Sequence, residues 1–163
     1  MMRILYVLAS SWGGIPHYTT ELANAVSKYS EVVVLKPEDS NDRLFLERVK
    51  VINAFKTIHF SRGELSKTFL PNNITSLFSF KNIELINDIK PDIVHLPEQK
   101  PPISLFAFLH RIHRRYPIVS TLHATFESPL HLLNGKNLIH GLLASFTELT
   151  KYLVKSDVII VHT

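Results

Sequence analysis

The chain contains no cysteine. That excludes disulfides, thiolate metal sites and cysteine nucleophiles, and it fits a reducing, cytoplasmic setting. It also lacks long hydrophobic runs. None approaches the roughly 18–20 residues that span a bilayer. The opening Met1-Met2-Arg3-Ile4-Leu5-Tyr6-Val7-Leu8 is too short before its polar loop to act as a signal peptide, and no small-residue cleavage site follows. Repeats, low-complexity tracts and linkers are missing too. Excess charge is small: a net +4 with a pI near 9.4 is compatible with anionic ligands such as phosphates and names no partner. Nucleic acid is not expected, because aromatic stacking motifs are absent as well.

What remains is a globular composition, 45% hydrophobic and 20% charged over 163 residues. That length makes one domain, able to remove roughly 70% of its unfolded surface from water. Short aliphatic runs alternate with longer amphipathic stretches. Strands are predicted at Ile4–Ala9, Glu31–Leu35, Val49–Phe55, Asp92–Leu96, Ile118–Leu122 and Val158–Val161. Helices are predicted over His17–Tyr29, with Tyr18, Leu22, Ala25 and Val26 at helical spacing, and over Ile74–Ile89, Ser104–Arg115 and Leu138–Lys155. Residues 56–73 give no clear pattern. Aliphatic strands alternating with helices predict an α/β fold: a Rossmann-like, doubly wound parallel sheet with helices on both faces. Such sheets bind ligands at the carboxyl ends of their strands. The candidate loops are therefore Ser10–Pro16, Pro97–Pro101 and His123–Pro129.

Several phosphate and catalytic motifs are absent from those loops. There is no G-x-G-x-x-G, no acid at the end of the second strand (Leu35-Lys36 stands there), no P-loop and no G-x-S-x-G elbow. Ser10 and Ser11 stand where a phospho-receiver domain needs acids. Gly13 and Gly14 precede a helix, so their backbone N–H groups could meet an anion at its positive end; equally, they could relieve a tight turn. His123 closes the fifth strand, where imidazole could meet a sugar hydroxyl or be satisfied by backbone. His95 closes the fourth, and Glu98 follows in its loop as an acceptor-hydroxyl contact or a solvated side chain. His110 and His113 have metal-ligand spacing but no third ligand, so no metal is expected. With Arg111, Arg114 and Arg115 they form a basic helix face, which reads as solvated, or as a contact for an anionic membrane surface.

The pieces together resemble glycosyltransferase family 4. Met2-Arg3-Ile4-Leu5-Tyr6-Val7-Leu8, then Gly13-Gly14-Ile15-Pro16-His17-Tyr18 and Glu21-Leu22-Ala23, resemble that family's opening strand, Gly-Gly loop and E-L-A helix. Lys90-Pro91-Asp92-Ile93-Val94-His95 is similar to its K-P-D-I-V-H strand. Pro117-Ile118-Val119-Ser120-Thr121-Leu122-His123 is similar to its P-V-V-x-T-x-H strand, and Ser156-Asp157-Val158-Ile159-Ile160-Val161 to the strand closing its first domain. The order and spacing span essentially all of residues 1–163.

The resemblance implies the N-terminal, acceptor-side domain of a retaining GT-B glycosyltransferase. It implies sugar transfer from a nucleotide-sugar donor to a hydroxyl, with no cofactor or metal. By the same resemblance, Gly13 and Gly14 lie near the donor diphosphate and His123 near the transferred sugar; His17 and His95 are further candidates for substrate or phosphate binding. Glu98 is the acceptor candidate. The family's donor-binding acids and bases belong to a second domain and have no counterpart in this sequence. The expectation is that the other half comes from a longer chain, a second copy forming a homodimer, or a separate donor-binding subunit. The alternative expectation is a non-catalytic binding or partner subunit.

Overall fold

The computed structural model describes residues 1–9, 14–40, 43–57, 76–77, 80–97, 111–122 and 156–161. Strand β1 (Arg3–Val7) leads to helix α1 (Gly14–Val26), then β2 (Glu31–Pro37) and β3 (Val49–Thr57). The two-residue β4 (Ser76–Leu77) precedes helix α2 (Phe80–Ile89), β5 (Ile93–Leu96), β6 (Ile118–Leu122) and β7 (Val158–Val161). The sheet order is β4-β3-β2-β1-β5-β6-β7. Six strands run parallel, and only β4 pairs antiparallel, as Lys56↔Leu77 and Thr57↔Ser76 at the edge of β3. Without that edge the order is that of a doubly wound, Rossmann-like sheet.

The strands form where the sequence is aliphatic without a break. Leu5, Val7, Val33, Leu35, Val94 and Ile118 are buried on one face, against Ile86 and Ile89 of α2 and Ile112. Tyr6, Leu8, Val32 and Val34 are buried on the other, with Ala23 of α1. A strand covered on both faces must be apolar at successive positions, and each fully buried aliphatic side chain contributes about 1.5–3 kcal/mol.

Helix α1 begins at Gly14, so Gly14, Ile15 and Pro16 form its first turn, not part of a loop. Pro16 is tolerated there because the first N–H groups of a helix have no partner within it. The buried residues of α1 are Thr19, Thr20 and Ala23, whereas Ala25 faces solvent. Thr19 and Thr20 remain satisfied in the core because their hydroxyls donate to the carbonyls of Ile15 and Pro16, at 2.8 and 2.9 Å. The predicted Ile74–Ile89 helix is shorter in the structure: Ser76–Leu77 is strand and the helix starts at Phe80. The strand at Val49–Thr57 is the longest in the sheet, with nine residues. The predicted Leu138–Lys155 helix and most of the Ser104–Arg115 helix lie outside the described residues.

The β2–β3 ladder shifts register between Lys36 and Pro37, where proline has no N–H to donate. Ala54, the residue skipped, gives its carbonyl to Asn82 Nδ2 of α2 at 2.8 Å.

The amino edge of the sheet is fastened twice in the same way. Asp92, just before β5, accepts from the Arg3 N–H at 2.7 Å and returns its own N–H to the Arg3 carbonyl at 2.9 Å. Asp157, just before β7, accepts from the Ile118 N–H at 2.7 Å and returns its N–H to the Ile118 carbonyl at 2.8 Å. Each aspartate is thus a bracket that fixes strand register. Arg3 adds an ion pair to Glu31 at 2.8 Å and donates to the last carbonyl of α2, that of Ile89.

Candidate functional site

The chain leaves β1 toward β2 on one side, and leaves β5 toward β6 on the other. The β1–β5 pair is therefore the switch point, and sheets of this kind bind ligands there at the carboxyl ends of their strands. Tyr6 and His95 are register partners directly across the switch point.

Gly14 opens α1 in the connection that follows β1 and is exposed. A Cβ built on Gly14 meets nothing within 4 Å, so internal packing does not require glycine there. The unpaired N–H groups at the start of α1 form the helix's positive end. His17 lies three residues on, on the same solvent-facing stripe of the helix. Gly14 and His17 are thus brought together. Gly13, Glu98 and His123 lie outside the described residues.

His95 sits deeper than the other two. It is 5% exposed, and its Nε2 is 2.8 Å from Oγ1 of the fully buried Thr121. Its ring leans on Tyr6, with centroids 4.9 Å apart and planes 33° from parallel. Burial pushes the Tyr6 hydroxyl well above the ordinary tyrosine range, and nearby Tyr18 of α1 adds to the rise. Tyr6, His95 and Thr121 were not legible as a group because they come from three strands. One hint was present: Tyr6 is the polar-tipped residue in the otherwise aliphatic run Ile4–Ala9.

Lys36 ends β2 where a nucleotide-binding sheet often carries a ribose-binding acid. It is fully buried, and its ammonium donates to the carbonyls of Ser40 at 2.6 Å and Pro37 at 3.2 Å. These bonds close the turn that follows it.

Among the described residues there is no group of three or more histidines, cysteines or acids that could hold a metal ion. Nor is any helix among them long and apolar enough to cross a membrane.

A doubly wound parallel sheet with a glycine-opened helix at its switch point defines a Rossmann-like α/β domain. Comparison with protein families is more specific, since the family described as Glycosyltransferase Family 4 matches residues 12–163. The chain belongs to glycosyltransferase family 4, and its sheet has the form of one GT-B half. Comparison with curated proteins finds no match.

Proposed function

We propose that this domain is the acceptor-side half of a glycosyltransferase that moves a sugar from a nucleotide-sugar donor to an acceptor hydroxyl. The observation that carries the reading is the open space over Gly14 at the switch point, in a chain of this family. In the proposed reaction the acceptor oxygen bonds to the anomeric carbon while the bond from that carbon to the phosphate oxygen breaks. The nucleoside diphosphate leaves, and the acceptor proton passes to it or to solvent.

Backbone N–H groups of Gly13 and Gly14 would meet the charge growing on the leaving diphosphate. His17 would stand beside them on the outer stripe of α1. His123 would contact the sugar and Glu98 the acceptor hydroxyl. No metal or cofactor enters this scheme. The donor nucleotide would be held mostly by a partner half, from continued chain, a second copy or another subunit.

The test is calorimetric titration of the chain with uridine, guanosine and adenosine diphosphate sugars. Saturable binding that weakens in Gly14→Val and in His123→Ala supports the enzyme reading. No binding by any of them, with transfer appearing only when a donor-binding partner is added, supports a subunit role instead. Binding indifferent to both substitutions would sink the site assignment.

A further inference from the structure

We propose that His95 is a positioning residue: through Thr121 it braces the carboxyl end of β6 against β5, where the backbone ladder stops. The backbone ladder between β5 and β6 runs Val94↔Ile118, His95↔Val119 and Leu96↔Ser120. In a parallel ladder the last pair, Leu96↔Ser120, is closed by the Thr121 N–H on the Leu96 carbonyl, and Leu122 lies past it. On the other side Thr121 and Leu122 pair with Ile160 and Val161 of β7, an edge strand exposed along its length. The side-chain bond from His95 Nε2 to Thr121 Oγ1, 2.8 Å long, adds a second tie to β5 where the backbone ladder ends.

The bond joins residues that are diagonal in the ladder. His95 pairs with Val119, and Thr121 is two residues further along the same face of β6. Both groups are buried, so separating them leaves polar atoms without water to replace the partner. Tyr6 fixes the ring from the far side, across the switch point. The three side chains therefore run from β1 through β5 to β6, just below the ends of the strands.

Thr121 stands two residues before His123 in the sequence. On the reading that His123 meets the sugar, His95 influences the reaction by holding the strand end that carries His123. The mechanical claim does not depend on that reading.

The experiment measures amide hydrogen exchange at residues 121–123, together with the NMR signals of the His123 imidazole, in the full chain. The variants are Thr121→Val, His95→Phe, their double, and Thr121→Ser as the control that keeps the hydroxyl. Thr121→Val and His95→Phe should each speed exchange at 121–123 about tenfold and move the His123 signals alike. The double should do no more than either single, because both remove one bond. Thr121→Ser should resemble the parent, and amides of Leu5 and Val33 in the neighbouring strands should keep their rates. Unchanged exchange at 121–123, additive effects, or an equal rise at Leu5 and Val33 would each overturn the proposal. A parent chain that binds no nucleotide sugar while showing the expected exchange pattern would remove the proposed reaction and leave the positioning role standing.

Discussion

Replacing Gly14 with alanine separates the needs of folding from the needs of binding. Gly14 is the first residue of α1, in helical conformation, and an added Cβ meets nothing within 4 Å. No steric penalty opposes the change. Glycine costs a helix interior about 0.5–1 kcal/mol relative to alanine, mostly through the freedom of the unfolded chain. At the first helical position the lower end applies, so Gly14→Ala should stabilise the domain by about 0.5 kcal/mol. For a chain of this size that raises Tm by roughly 1–2 °C and shifts the urea midpoint upward.

Binding should move the other way. An anion held by the N–H groups at the start of α1 must approach the backbone to hydrogen-bond distance, and a methyl group stands in that path. Losing one charge-assisted hydrogen bond costs about 1.5–3 kcal/mol, or roughly 10- to 100-fold in Kd. Urea denaturation and calorimetric titration with a nucleotide sugar, run on the same preparation, read both effects. Destabilisation beyond about 1 kcal/mol would contradict the open space over Gly14. Unchanged affinity in a more stable protein would show that no ligand comes close to this backbone.

Other expectations concern the frame around the site. Asp157→Ala should cost about 1–2 kcal/mol, because the Ile118 N–H loses its 2.7 Å acceptor, and Asp157→Asn should cost less; urea melts and exchange at the Ile118 amide read this. Lys90 follows α2 with φ 52°, in the left-handed region, so Lys90→Gly should raise stability by about 1 kcal/mol, and a loss would contradict the strained backbone. Tyr6 should resist ionisation: in a titration followed by ultraviolet absorbance, one of the five tyrosines should stay protonated when an exposed tyrosine has lost its proton. The folded value is raised, so this contribution to stability is fully present below pH about 10, where Tyr6 of the unfolded chain is still protonated. It is lost as pH rises above 10, because the unfolded chain then releases a proton that the folded one keeps. An alkaline denaturation midpoint lowered in Tyr6→Phe would refute it.

The sheet was legible because its strands obey a simple demand. A parallel strand covered on both faces must be aliphatic at successive positions, and Leu5–Ala9 and Val32–Leu35 are. Boundaries were less legible where residues act against their usual tendency. Gly14 and Pro16 read as loop, yet the opening turn of a helix has no use for the N–H that proline lacks. Ser76–Leu77 read as helix because a two-residue strand has no periodicity to show. At the site, position along the chain located His95 at a strand end, but its orientation depends on register. Only the pairing of His95 with Tyr6 and Val119 shows which residues share its face. The burial of Lys36 was not legible either, since a turn four residues long, folding back over its side chain, leaves no mark in composition.

The aspartate brackets at Asp92 and Asp157 have an evolutionary consequence. They set strand alignment at the amino ends of the strands, opposite the ends from which the loops after β1, β5 and β6 leave. Alignment is therefore decided apart from those loops. Such a domain can exchange the segments after β1, β5 and β6, and with them the molecule it acts on, without renegotiating how its strands line up.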